Sequence, residues 1–312
     1  MQLPFTTVDV FTTMPYAGNP LAIVRVPHTV CATLTEAQKQ KIAREFNFSE
    51  ITFLHEPSSE NENGTVDFDI FTPLSRLAFA GHPTIGIALY ATMNQGMYPG
   101  VRQLKTRAGL IPFEFDEERG RVSVQVPHAV RVHRKRLQHP FPVEEANGSR
   151  SETVPLVSIV KGMAFNLVPI RNIEALRLPN RGLLPVAECY LAEHLDQGSG
   201  WDVGYTGTFY YTELGVDPKE ADVRALRTRS IRTREDPGTG SASCALCGYL
   251  AVVARKAGRP RKQRFHLTQG VEMGRRCDIY INIETIEDGE GIESVELNGA
   301  AVQVMEGILT IS

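Results

Sequence analysis

Two glycine-containing stretches could seat an anion: Phe79-Ala80-Gly81-His82-Pro83-Thr84-Ile85-Gly86 and Asp236-Pro237-Gly238-Thr239-Gly240-Ser241-Ala242-Ser243. Each runs into a residue pattern that reads as an apolar helix. The first turn of a helix leaves backbone N–H groups unpaired and carries a partial positive charge, which suits a carboxylate or phosphate. Here one such helix start falls in each half of the chain, with His82 at one mouth and Ser241 at the other. A third piece, Asn47-Phe48-Ser49-Glu50, sets a lone carboxylate among Phe46, Phe48, Ile51 and Phe53. A carboxylate shielded from water by such neighbours has the setting of a general base. Together the pieces point to a cleft between two similar domains that holds a carboxylate-bearing substrate and moves protons on it.

Each of these residues also has a plainer reading. Glu50 fits a surface residue after a helix, and His82 a cap or structural imidazole. Asp-Pro-Gly-Thr-Gly is a good turn, and Ser an ordinary residue at a helix start. On the functional reading, the N–H groups of Gly240 and Ser241 bind an anion while Asp236 holds an amine or hydroxyl. His82 would donate one hydrogen bond to a substrate oxygen. Other chemistries fail on spacing. No Lys follows the glycine of the second loop, as a phosphate-cradling loop needs. The Gly-x-Ser-x-Gly of a nucleophile elbow and an early Gly-x-Gly-x-x-Gly are also missing. No His or Cys sits at ligand spacing from His82, so no metal is expected.

The elements that position these residues follow from periodicity. Residues 7–11 and 19–26 read as β-branched strands joined by a turn at Tyr16-Ala17-Gly18-Asn19-Pro20. Thr35-Glu36-Ala37-Gln38 is a capping box for a helix running to Phe46, with Asn47 as its left-handed stop. Ile51–Leu54 and Val66–Phe71 are strands. Pro83 suits a helix start and Gly96 its end. That helix, and the one after Ser241, which Val253 extends and Gly258 and Pro260 end, are apolar or small all round. A helix of that kind is buried on every side. A sheet curled around a central helix, built twice, satisfies both. A strand from about Ala301 to Ile311 is expected to return to the first domain. The most linker-like stretch is His139–Thr153, but the crossover is placed earlier, after Val122–Val126.

Bulk properties narrow the classes. The 312 residues suffice for two domains with real cores, and 42% hydrophobic with 22% charged residues fits a globular protein. A formal charge of -3 argues against nucleic acid as a partner. No run approaches the ~18 apolar residues of a membrane helix, and no signal peptide is evident. The five cysteines, Cys31, Cys189, Cys244, Cys247 and Cys277, suggest reduced thiols in the cytoplasm. Cys244-x-x-Cys247 has metal or redox spacing but lies inside a helix with no second ligand pair, so burial in the core is the better reading. Arg224, Arg227, Arg229, Arg232 and Arg234 precede the second loop, and the pairs Arg227/Arg229 and Arg232/Arg234 each have strand spacing. A solvated strand face is the favoured account; a role in selecting an acidic substrate is the other.

At these residues the chain resembles the PhzF-like family of phenazine-biosynthesis isomerases. The matching pieces are Val8–Phe11, Ala17–Val24, Phe48–Phe53, Phe71–Pro73, Phe79–Pro83 and Glu235–Ala242, in order along nearly the whole chain. Arg76-Leu77-Ala78 stands where the family usually has Glu-Leu-Pro, and Gly238 where it has Ala. The resemblance implies the diaminopimelate-epimerase fold, α+β, with two similar domains each wrapping a sheet around one helix. With the crossover after Val126 and the last strand returning, residues 1–127 plus about 300–312 are expected to form the first domain and 128–299 the second. The resemblance implies a cofactor-independent isomerase in which Glu50 shuttles a proton, assisted by His82, Asp236 and Ser241. Asn19, Ser49, Gly81, Thr239 and Gly240 are the expected substrate-binding residues. The related epimerases use a cysteine pair at the helix mouths, where this chain has His82 and Ser241, so two-thiol racemisation is disfavoured. The expected partner is a small carboxylate-bearing metabolite, with neither nucleic acid nor membrane, and a homodimer is one expected assembly. A metabolite-binding scaffold that keeps the family's cleft is the non-enzymatic alternative, and an amino-acid epimerase or racemase with a thiol contribution from Cys244 is the enzymatic one.

Overall fold

The structure is a computed structural model that describes residues 1–57, 64–138, 153–177, 192–231 and 234–311. Cys189, Arg232 and most of the His139–Thr153 stretch lie outside the described residues. Two compact units divide the chain: Met1–Val126 with Leu297–Ser312, and Pro127–Glu296.

The first unit is built on β1 (Gln2–Val10), β2 (Asn19–Val26), β3 (Ile51–His55) and β4 (Thr65–Phe71). It continues through β5 (Gln103–Thr106), β6 (Gly109–Asp116) and β7 (Arg121–Gln125). β1 runs antiparallel to β2 and also to the C-terminal strand Ala301–Thr310, with Gln2 opposite Thr310. β2 and β3 are parallel, Ala22 opposite Ile51, and β3 and β4 are antiparallel. β1 stops one residue short of the expected end, because Phe11 turns into the left-handed region at φ 63°.

Helix α1 (Glu36–Phe46) covers one face of this sheet. Its capping box forms as the sequence predicts: Gln38 N–H donates to the Thr35 hydroxyl and Thr35 N–H to the Gln38 side chain. Asn47 ends it in the left-handed conformation, its N–H on Ala43 O. Helix α2 (Gly81–Met93) occupies the other face against β1, β2 and β7. Every residue from Gly81 to Ala91 is buried, as an all-round apolar sequence requires. Close approach explains Gly86: a Cβ there would lie 2.5 Å from Leu21 Cδ2 and 3.1 Å from Val10 Cγ2. The helix stops at Met93, before Gly96, and Met93 is already exposed.

The second unit repeats the design. Strands β8 (Leu156–Val160), β9 (Met163–Pro169), β10 (Tyr205–Val216) and β11 (Val223–Ile231) precede β12 (Lys262–Gln269) and β13 (Cys277–Thr285). β9–β10 and β11–β12 are parallel pairs, and the other neighbours are antiparallel. Helix α3 (Gly240–Lys256) packs on β8, β9 and β13. It is buried through Gly248, again at Leu250 and Ala251, and Val253 then emerges on the surface. The full apolar surround expected of this helix therefore holds for its first three turns only. Cys244 and Cys247 are fully buried in it, as the core reading predicts.

The arginine-rich strand β11 departs from the favoured expectation. Arg227 and Arg229 are buried rather than solvated. Arg229 grips Glu235 with two parallel bonds, Nε to Oε1 at 2.8 Å and Nη2 to Oε2 at 2.7 Å, and donates to Leu176 O at 2.8 Å. Arg227 donates to Thr268 O at 3.0 Å and Glu272 Oε1 at 2.8 Å. Guanidinium groups enter a core only when their donors meet acceptors, and here those acceptors come from distant stretches. Arg224 stays partly exposed, bonded to Glu213 and lying over the Phe265 ring at 5.0 Å.

Candidate active site

Glu50 is placed by the end of one element and the start of the next. Asn47 turns the chain out of α1, and the parallel pairing of β3 with β2 fixes Ile51 opposite Ala22. The carboxylate between these anchors is 7% exposed. Its Oε2 lies 3.6 Å from His82 Nδ1. His82, 4% exposed, is the second residue of α2. The first bond within that helix is Thr84 N–H to Ala80 O at 3.3 Å, so the Gly81 and His82 N–H groups precede the intrahelical ladder.

Asn19 and Ser49 continue the arrangement. Asn19, buried at the start of β2, has Nδ2 at 3.5 Å from His82 Nδ1, and Ser49 Oγ donates to Asn19 Oδ1 at 3.4 Å. The structure thus gathers Asn19, Ser49, Glu50, Gly81 and His82 into one polar line at the mouth of α2. A buried carboxylate beside an imidazole at a helix start can hold and release a proton while the helix end favours an anion.

In the second unit, Asp236 is placed by the short pairing of Glu235–Asp236 with Ser230 and Ile231 at the end of β11. Its Oδ2 accepts a 2.5 Å bond from the Thr239 hydroxyl. That bond turns the Thr239 side chain away from capping α3, whose first ladder bond is Ser243 N–H to Thr239 O at 3.0 Å. Asp236, Thr239, Gly240 and Ser241 are all buried. They surround the start of α3 as Glu50 and His82 surround that of α2.

One residue that holds this loop has no counterpart in the sequence reading. Gln269, fully buried at the end of β12, donates from Nε2 to Asp236 O at 2.7 Å and to Thr239 Oγ1 at 3.1 Å. Its Oε1 accepts from Thr239 N–H at 3.2 Å. The following residue, Gly270, closes the support with φ 73°; a Cβ there would lie 2.4 Å from Arg275 O and 2.6 Å from Pro237 O. The only local signal is the Gln-Gly pair ending an alternating strand, which marks a turn but not its partner.

Cys244 lies one turn inside α3. Burial pushes its thiol above the ordinary range, and burial does the same to Cys247. Neither thiol is positioned or ionised to act at the helix mouth. Among the described residues, no helix is long and apolar enough to cross a membrane.

Comparison with known proteins places the chain. The family model described as phenazine biosynthesis-like protein, PhzC-PhzF, matches residues 8–197 and 215–307. A trans-2,3-dihydro-3-hydroxyanthranilate isomerase of Pseudomonas aeruginosa is 30% identical over 97% of this chain and 98% of its own length. An uncharacterised isomerase of Mesorhizobium japonicum is 28% identical over 97% of each chain. Among solved structures, a Bacillus anthracis phenazine biosynthesis protein of the PhzF family superposes with a TM-score of 0.74 at 21% identity, covering both chains fully. A hydroxyproline epimerase from Agrobacterium vitis gives 0.59 at 14% identity, over 99% of this chain and 92% of that one. The doubled sheet-around-helix architecture is therefore that of the epimerase-like fold, and the chain belongs to the phenazine biosynthesis-like PhzC-PhzF family and is an isomerase.

Proposed function

We propose that the chain is a cofactor-independent isomerase that moves a proton between carbons of a small carboxylate-bearing metabolite, with Glu50 as the group that carries it. The observation behind this reading is the buried Glu50 carboxylate 3.6 Å from His82 at the start of α2. Glu50 takes the proton from a carbon made acidic by a neighbouring unsaturated or carboxylate group and returns it at another. His82 donates a hydrogen bond to the oxygen on which charge develops, and Asn19 and Ser49 keep the imidazole in place. The N–H groups of Gly81 and His82 at the start of α2 suit the substrate's carboxylate. In the second unit those of Gly240 and Ser241 offer an equivalent seat at the start of α3, where Asp236, set by Thr239, suits an amine or hydroxyl. A ring bearing a carboxylate and an amine carries the kinds of group these donors and acceptors suit. The substrate named for the Pseudomonas aeruginosa relative is of that class, which makes it the first compound to assay.

The test is turnover of trans-2,3-dihydro-3-hydroxyanthranilate and a panel of cyclic and amino carboxylates. Ligands are ranked first by thermal shift, since a ligand at 100 times its Kd adds about 2.7 kcal/mol of stability. Glu50→Gln keeps the side chain's shape and removes the base. It should lower turnover by roughly 10²–10⁴-fold with binding retained. Turnover equal to that of the unaltered chain would end the proposal.

A further inference from the structure

Outside that site, three side chains from separate stretches of the first unit align as nucleophile, base and orienting acid. Cys31 follows the single 3-10 turn His28–Val30 after β2 and is exposed. Its Sγ lies 3.3 Å from Nδ1 of His55, the last residue of β3. The other ring nitrogen, Nε2, lies 3.1 Å from Asp69 Oδ2 in β4. Asp69 is itself buried and held, with Lys39 Nζ at 2.5 Å from Oδ2 and Arg76 bonded to Oδ1. Burial opposes its charge, but the bonds from His55 and Lys39 outweigh burial and keep the carboxyl far below the usual range. An ionised Asp69 can only accept, so Nε2 carries the ring proton and the Nδ1 lone pair faces the thiol. All three residues line one open cavity of about 1100 Å³, the size at which proteins admit small ligands.

We propose that Cys31 is a reactive thiol served by His55 as base and Asp69 as positioning residue, and that it exchanges with small disulfides to form a mixed disulfide. The Sγ–H proton moves to His55 Nδ1 as sulfur attacks one sulfur of the small disulfide. A new S–S bond forms, the old one breaks, and the leaving thiolate takes up a proton to depart as a thiol. The small disulfide is the oxidant, and Cys31 is oxidised to the mixed disulfide. Attack by a thiolate and removal of its proton by a held imidazole are the general requirements of this exchange. Cys244, Cys247 and Cys277 are buried, so among the described cysteines none is exposed to displace the adduct. An external thiol reverses it.

The test uses the full chain and dithiodipyridine, an uncharged disulfide whose released thiopyridone is followed by absorbance, with the adduct located by peptide mapping. At neutral pH one equivalent should react fast and map to Cys31. It should react about tenfold or more faster than the same cysteine in the guanidinium-unfolded chain. Cys31→Ser removes the fast phase, and His55→Gln slows it to the unfolded rate. Nitrogen NMR should show the Nε2–H tautomer of His55 in the unaltered chain and its loss in Asp69→Asn, which a merely structural aspartate would not control. A fast phase that survives Cys31→Ser, or one that maps to another cysteine, overturns the proposal. So does a native rate no higher than the unfolded one, a comparison that needs no variant to fold.

Discussion

The Glu50 carboxylate and the His82 imidazole approach to 3.6 Å although one closes a loop after α1 and the other opens α2. The parallel pairing of β2 with β3 makes this possible. It sets Asn19 at the start of one strand near Glu50, which immediately precedes the other, and α2 begins beneath both. Proton carrier, imidazole and helix start are thus held by the sheet register, and the loops do not have to find them.

A thiol-based reaction at the start of α3 is testable by removing the thiol. Cys244→Ala should leave isomerase turnover unchanged, because Cys244 is fully buried and its thiol is held protonated by burial. A steady-state assay on the substrate identified by the panel measures this. Loss of turnover in a variant whose circular dichroism is unaltered would return a cysteine to the mechanism.

Arg229 is predicted to be structural. Arg229→Met strands the partly buried Glu235 carboxylate and Leu176 O, and should cost up to about 3–5 kcal/mol in urea unfolding. Adding Glu235→Leu should recover much of that loss, since replacing a whole buried pair by apolar groups is often nearly neutral. A single variant as stable as the unaltered chain would show that the pair carries no such cost.

Gly270→Ala should destabilise the second unit by roughly 2–4 kcal/mol, combining a left-handed backbone with a steric overlap. The atoms in the way are the backbone oxygens of Arg275 and Pro237, which cannot rotate aside. Because Pro237 belongs to the Asp236 loop, ligand binding should weaken along with stability. Denaturant titration and thermal shift with ligand read the two effects separately.

Acid should expose a second charge network. Asp278 is partly buried, which raises its pKa, but bonds from His266 and Arg276 bring it down to about 2; Asp217, bonded to the same His266, is lowered as well. Depressed carboxylates stabilise the fold above the unfolded value near 3.9, and that contribution disappears as pH falls through the folded value. His266→Gln should therefore be less stable than the unaltered chain at pH 5, with the gap narrowing between about pH 4 and pH 2. Urea midpoints across that range test it; a gap that widens on acidification contradicts it.

What could be read from the chain alone was whatever depends on neighbours in sequence. The Thr35–Gln38 box, the Asn47 stop and the burial of α2 are local or periodic signals, and each appears in the structure. Glu50 and His82 stood out because each sits at an element boundary with an unusual setting. Gln269 did not, since a Gln on an alternating strand looks like any half-exposed position until its distant loop is known. The burial of Arg227 and Arg229 was hidden for the same reason: their acceptors, Glu272 and Glu235, are matched by the fold. Cys31, His55 and Asp69 come from three stretches with no shared motif, and only the β3–β4 pairing and the turn after β2 bring them together.

The role of Glu50 is tested most directly by solvent exchange. The protein is incubated in deuterium oxide with the carboxylate it turns over, trans-2,3-dihydro-3-hydroxyanthranilate being the first choice, and carbon-bound deuterium is followed by NMR. The unaltered chain should place deuterium at the carbon that receives the proton, and Glu50→Gln should bind the same compound with exchange reduced by roughly 10²-fold or more. Exchange at the unaltered rate in Glu50→Gln would contradict the account.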